Sequence, residues 1–184
     1  GSRSIGMRVG QIGASGLMGH GMAKNLLAKG QTLALTVHKQ RDRVQDLLDA
    51  GARLSTSAAD LGATCDVVLI CVTGSPQVEA VVSGAEGLLT HPKKGLIIVD
   101  CSTSEPHSTT HLRDLAQSKG VTFVDAPLAR SPVEAEAGKL NIMVGAAPDV
   151  FAKLEPVLKC CAENVFHVGG PGAGHAIKLL NNFI

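Results

Sequence analysis

The chain has 184 residues, of which 45% are hydrophobic and 18% charged, enough to bury one ordinary globular core and begin a second. Seventeen Lys and Arg against sixteen Asp and Glu leave a net charge of +1, and four Phe are the only aromatics, so neither a cationic face nor stacking platforms for nucleic-acid bases are available. No apolar run reaches the roughly 20 residues that span a bilayer, and the start GSRSIGM lacks the apolar stretch of a signal peptide.

These features predict a soluble, cytoplasmic protein that binds neither nucleic acid nor membrane. Residues 1–6 read as an expression remnant ahead of Met7. The five cysteines (Cys65, Cys71, Cys101, Cys160, Cys161) are odd in number and lack C-x-x-C spacing, which predicts reduced, mostly buried thiols and no metal site.

In chain order, the first strand is predicted at Met7–Ile12, followed by a glycine-rich turn and an amphipathic helix over Gly16–Lys29. Leu33–Val37 reads as the next strand and Arg41–Ala50 as a helix. SAAD at Ser57–Asp60 has the spacing of a capping box, and Val67–Val72 is a nearly continuous apolar strand. Ser75 before Pro76 reads as the cap of a helix over Pro76–Val82. Leu96–Asp100 and Val121–Ala126 are further strands, separated by a helix over Glu105–Lys119. A strand at Leu140–Ala146, a helix at Pro148–Lys159 and a strand at Asn164–Gly169 follow, and a last helix starts near Gly174.

Strand and helix in strict alternation mean βαβ units, a mainly parallel sheet and right-handed crossovers. The expected fold is α/β of the Rossmann type, doubly wound, with extra C-terminal strands and the start of an interdomain helix. The expected division is a dinucleotide-binding domain over 7–172 and a linker helix over 173–184.

The turn after the first strand carries Gly13, Gly16 and Gly19, and two dinucleotide fingerprints can be laid on it. One is the G-x-x-G-x-x-G loop of extended short-chain dehydrogenases; the other is G-x-G-x-x-G with one residue added. Either places backbone amides and the positive end of a helix against a pyrophosphate, with Gly13, Ala14, Ser15, Gly16, Leu17 and Met18 as the cofactor-binding candidates. The plain alternative is a turn that binds nothing. Short-chain dehydrogenases transfer their proton through a tyrosine, and this chain has none.

At the end of the second strand an NAD site normally places an Asp or Glu for the ribose. Here the chain reads His38, Lys39, Gln40, Arg41, so NADP(H) is favoured over NAD(H), with His38, Lys39 and Arg41 near the 2′-phosphate.

Four motifs occur in order along the chain: GQIGASGLMGHGMAKNL from Gly10, DCSTSEP from Asp100, DAPLARSPVEAEAGKL from Asp125 and GAGHAIKLLNN from Gly172. Together they resemble the signatures of the β-hydroxyacid dehydrogenases, the family of 3-hydroxyisobutyrate dehydrogenase and tartronate semialdehyde reductase, related to 6-phosphogluconate dehydrogenase. The resemblance implies hydride transfer between a nicotinamide dinucleotide and a small anionic 3-hydroxyacid or its semialdehyde.

It further implies Lys178 as the catalytic lysine, with Asn182 one helical turn beyond it on the same face. Ser102 and Thr103 would meet substrate and nicotinamide, and Val72, Thr73 and Gly74 would line the cofactor. A missing all-helical domain would complete a homodimer or homotetramer. A lysine-less binding module and an imine reductase are the alternatives within the resemblance, and the presence of Lys178 disfavours both.

One departure stands out. Where most of the family it resembles has Ser-Gly-Gly in the substrate loop, this chain has Ala129, Arg130 and Ser131; a similar arginine occurs in the sulfolactaldehyde-reducing branch, and Arg130 either offers a fork to a carboxylate, sulfonate or phosphate of the substrate or points to solvent.

Overall fold

The central strands are apolar on both sides because both sides are covered. Strand β4 (Val67–Ile70) sends Val67 and Leu69 into one hydrophobic cluster and Val68 and Ile70 into another, and all four residues are buried. The computed structural model describes residues 6–37, 39–102 and 106–181.

Strands β1 (Arg8–Ile12), β2 (Thr32–Leu35), β3 (Arg53–Leu54), β4, β5 (Ile97–Asp100) and β6 (Thr122–Asp125) pair in parallel in the order 3-2-1-4-5-6. Helices α1 (Leu17–Ala28), α2 (Gln45–Asp49), α3 (Ala58–Thr64), α4 (Ser75–Ser83) and α5 (Pro106–Ser118) occupy the crossovers. The strand order reverses between β1 and β4, and the crevice at the carboxyl ends of those two strands is where open α/β sheets bind ligands.

Beyond β6 the sheet changes direction. β7 (Leu128–Ala129) and α6 (Pro132–Glu136) lead into β8 (Leu140–Gly145), which runs antiparallel to β6 and β7. After α7 (Pro148–Leu158), β9 (Ala162–Gly169) lies parallel to β8. Helix α8 (Ala173–Asn181) then turns back over the sheet. The expected doubly wound, mainly parallel sheet with added C-terminal strands is the one observed.

Local differences have local causes. The helix expected over residues 41–50 is a 3₁₀ turn, Arg41–Val44, followed by the five-residue α2. Val44 and Leu47, three residues apart, are the buried anchors of that stretch. Ser75 is the first residue of α4 and Gly74 its cap, so the predicted Ser75 cap is displaced by one position. Ser57 does cap α3, its Oγ accepting the Asp60 amide at 3.1 Å.

All five cysteines are free, and Cys65, Cys101 and Cys161 are buried. Burial pushes the Cys71 and Cys161 thiols up to about 12 and that of Cys101 well above its ordinary value, so these sulfurs remain protonated, packed groups. Among the described residues no helix is long and apolar enough to cross a membrane.

Candidate functional site

The glycine turn is held by two close approaches. Gly13 has φ +96°, and a Cβ there would lie 1.9 Å from the Cys71 carbonyl oxygen at the end of β4. A Cβ on Gly19 would lie 2.0 Å from the Gly13 carbonyl oxygen. The start of α1 can therefore sit directly on the tips of β1 and β4 only with hydrogen at both positions. Beneath the turn, buried Gln11 donates from Nε2 to the Gly19 carbonyl at 2.7 Å.

Gly16 takes an extended conformation, accepts from His20 N at 3.0 Å and provides no side-chain cap. No acidic residue stands in the first turn of α1. The amides of Leu17 and Met18 therefore face outward as an anion-receiving helix end. A diphosphate fits this donor set, because nothing in the turn competes for those N–H groups.

Two clefts flank the turn. One, of about 340 Å³, is lined by Ser15, Gly16, Leu17, His20, Arg43 and Glu136. The other, of about 310 Å³, lies at the ends of β1 and β2 and is lined by Ile12, Thr36, Val37, Thr56, Ser57, Ala58, Val81 and Glu86. Lys39 and Arg41 are exposed and line neither cleft. The basic residue that lines a cleft with the glycine turn is Arg43, two positions beyond the expected Arg41. His38 lies outside the described residues.

His20, a residue that sequence reasoning passed over, joins three helices. Its Nδ1 meets Glu136 Oε1 of α6 at 2.6 Å and its Nε2 meets Asp46 Oδ2 of α2 at 2.7 Å. Lys24 also approaches Glu136, at 3.4 Å. Burial works against a charged imidazole, but the two carboxylates outweigh it and raise the His20 pKa above its ordinary value. Burial likewise opposes the Glu136 charge, and His20 and Lys24 reverse that, holding its carboxyl below the usual range. Helical spacing places His20 one turn beyond Gly16, in the cleft it shares with the glycine turn. Glu136 is 116 residues away and leaves no sequence signal of the contact.

At the tips of β4 and β5, Ser102 is buried and tightly held. Its amide donates to Asp100 Oδ1 at 2.9 Å, its Oγ accepts from the Val72 amide at 2.9 Å, and its carbonyl accepts from His175 Nε2 at 3.0 Å. Val72, Thr73 and Gly74 form the turn from β4 into α4, beside Ser102. Thr103 lies outside the described residues.

Lys178 is half-buried on α8, three residues beyond His175 and therefore near the same helix face that touches Ser102. Asn182 lies outside the described residues.

The loop at Ala129–Ser131 departs from its expected use. Arg130 has φ +90°, the left-handed conformation that a glycine adopts without strain. Its Nη1 donates to the Lys139 carbonyl at 2.8 Å and pairs with the Glu163 carboxylate. Ser131 caps α6 in a reciprocal box with Glu134. Ala129 ends β7. The fork expected from Arg130 for an anionic substrate is thus turned to Glu163, because the loop folds back on β9 and supplies a nearer carboxylate.

A sequence-family model, the NAD binding domain of 6-phosphogluconate dehydrogenase, matches residues 8–169. The chain belongs to this family. Among curated relatives, 2-(hydroxymethyl)glutarate dehydrogenase of Eubacterium barkeri is 37% identical over 178 residues, which are 97% of this chain and 58% of the relative.

Among solved structures, 3-hydroxyisobutyrate dehydrogenase of Mycobacterium tuberculosis with L-serine superposes with a TM-score of 0.86 at 26% identity, covering 97% of this chain and 60% of that one. The 3-hydroxyisobutyrate dehydrogenase of Salmonella typhimurium gives 0.86 at 27%, covering 95% and 61%. This 6-phosphogluconate dehydrogenase-type NAD-binding domain thus spans somewhat more than half the length of the proteins it matches. The resemblance to the β-hydroxyacid dehydrogenase group, and the Rossmann fold it implied, stand confirmed.

Proposed function

We propose that the chain is the cofactor-binding part of an NAD(P)-dependent oxidoreductase that interconverts a small anionic 3-hydroxyacid and its semialdehyde. What supports this reading is the start of α8 against the tips of β5 and β6, where His175 touches Ser102 and Lys178 follows three residues on, together with an α1 start that has no side-chain cap at the switch point of the sheet.

When bound, the nicotinamide dinucleotide supplies the hydride chemistry. The chain's own groups do the rest. The first-turn amides of α1 hold the diphosphate, with Gly13, Ala14, Ser15, Gly16, Leu17 and Met18 shaping the turn. The cleft at Thr36, Val37, Thr56 and Val81 takes the adenosine end, and Val72, Thr73 and Gly74 with Thr103 line the nicotinamide end. Lys178 takes the hydroxyl proton in oxidation and returns it in reduction, and Asn182 and Ser102 orient the substrate. Arg43, together with Lys39 and Arg41 on the same loop and with no carboxylate at the strand tip, favours NADP(H). The active form is a homodimer or homotetramer of the longer protein.

Titrating the chain with NADPH and NADH by nicotinamide fluorescence tests the cofactor assignment. Tighter binding of NADPH that weakens on Arg43→Ala supports it, and indifference to the 2′-phosphate rejects it. In the chain extended to its relatives' length, Lys178→Ala should abolish turnover of hydroxyacids while leaving dinucleotide affinity unchanged; undiminished turnover would refute the proton-transfer role.

A further inference from the structure

The geometry points to His175 as a positioning residue that sets where Lys178 stands over the strand tips. The inference rests on the proposed role of Lys178 and adds to it the element that fixes its place. Helix α8 does not begin on its own terms. The Gly172 amide donates to Asp125 Oδ1 at 2.7 Å and the His175 amide to Asp125 Oδ2 at 3.0 Å, so one buried carboxylate at the end of β6 receives the start of the helix.

The His175 side chain then adds two further ties. Nε2 lies 3.0 Å from the Ser102 carbonyl, and Nδ1 lies 2.6 Å from Thr109 Oγ1 on α5. A carbonyl oxygen can only accept, so Nε2 carries a proton, and Asp100 Oδ2 stands 3.8 Å behind it. The imidazole is 1% exposed, so water does not compete for these bonds.

From His175 to Lys178 the helix advances three residues, about 4.5 Å along its axis, and returns close to the same face. Val72, Ser102 and His175 thus form a line of fixed parts running from the end of β4, through the end of β5, to α8, whose next turn carries Lys178. A side chain that filled the same volume without the two polar ties would leave α8 held by the Asp125 bonds and by its packing on β8 and β9, with the ties to the tip of β5 and to α5 gone. The ammonium would then be free to shift relative to the substrate hydroxyl.

The test uses the chain extended to its relatives' length and three variants. His175→Leu should lower kcat on the order of 10- to 100-fold with dinucleotide affinity unchanged, as expected when a proton-transfer group is displaced by about 1 Å. His175→Gln, whose amide can still donate to Ser102 and accept from Thr109, should restore most of kcat even if its melting temperature stays as low as that of His175→Leu. A kcat that instead follows melting temperature across the two variants overturns the inference. Lys178→Ala separates the two readings: if it abolishes turnover while His175→Leu does not lower kcat, the positioning role alone fails. If Lys178→Ala leaves turnover intact, the proposed function fails with it. Should His175→Leu not fold, long-range ¹H–¹⁵N spectra of the wild-type chain decide. A slowly exchanging Nε2–H form of His175 supports the tie to Ser102, and an Nδ1–H form or a rapidly exchanging ring overturns it.

Discussion

Arg130 offers a direct measurement of backbone strain. Its φ of +90° is the conformation a glycine adopts without strain, yet the residue has a full side chain. Holding an L-residue there costs about 1–2 kcal/mol. The guanidinium tie to Glu163 is exposed, and both Arg130→Ala and Arg130→Gly remove it, so it cancels between them. What remains is the strain, which alanine retains and glycine relieves, against the additional freedom of glycine in the unfolded chain, about 0.5–1 kcal/mol. Arg130→Gly should therefore be the more stable of the two by about 0.5–1 kcal/mol, which for a domain of this size is a melting-point gap of roughly 1–4 °C. Urea unfolding followed by circular dichroism, with equal m-values for the two variants, is the assay. If Arg130→Ala proved as stable as Arg130→Gly, the loop would relax without strain and the reasoning would be wrong.

His20 has a folded pKa above its ordinary 6.5, so its contribution is fully present below that pH and is lost as pH rises through the raised folded value. The melting-point deficit of His20→Gln should accordingly be larger at about pH 6 than at about pH 9, and a deficit independent of pH would show that folding does not raise the His20 pKa. Glu136 works in the opposite sense: its carboxyl is held low, and its contribution disappears as pH falls below the ordinary 4.5. Gly13→Ala would drive a Cβ to within 1.9 Å of the Cys71 carbonyl and should cost more than about 2 kcal/mol together with dinucleotide binding. Calorimetry and fluorescence titration check the two losses separately. Ser57→Ala removes the cap that accepts the Asp60 amide and should lower stability by about 1 kcal/mol, visible as a reduced urea midpoint.

The parallel half of the fold was legible because burial on both faces leaves a plain mark: Val67 to Ile70 and Ile97 to Val99 have no position at which a polar side chain would reach water. The glycine turn was legible because steric exclusion selects one residue type. What escaped is of two kinds. Arg53–Leu54 and Leu128–Ala129 are two-residue strands, formed by the neighbours they pair with and too short to carry a period of their own. The contacts of His20 with Glu136, of Arg130 with Glu163 and of His175 with Ser102 join residues 116, 33 and 73 positions apart. Polar side chains in such pairs read as ordinary surface or core residues until the chain is folded. The basic loop shows an intermediate case: its charge was evident, but the 3₁₀ turn at Arg41–Val44 decides that Arg43, and not Arg41, reaches the cleft.

The imidazole between α1, α2 and α6 means that the two ends of the site cannot be altered independently. Helix α6 continues directly from the Ala129–Ser131 loop, and its Glu136 grips the same ring that borders the glycine turn. An insertion or deletion that re-angles α6 would pull on that ring and, through it, on the start of α1. On the proposed function, changes in the loop before α6 would then register as changes in nucleotide affinity, even when every altered residue lies outside the glycine turn.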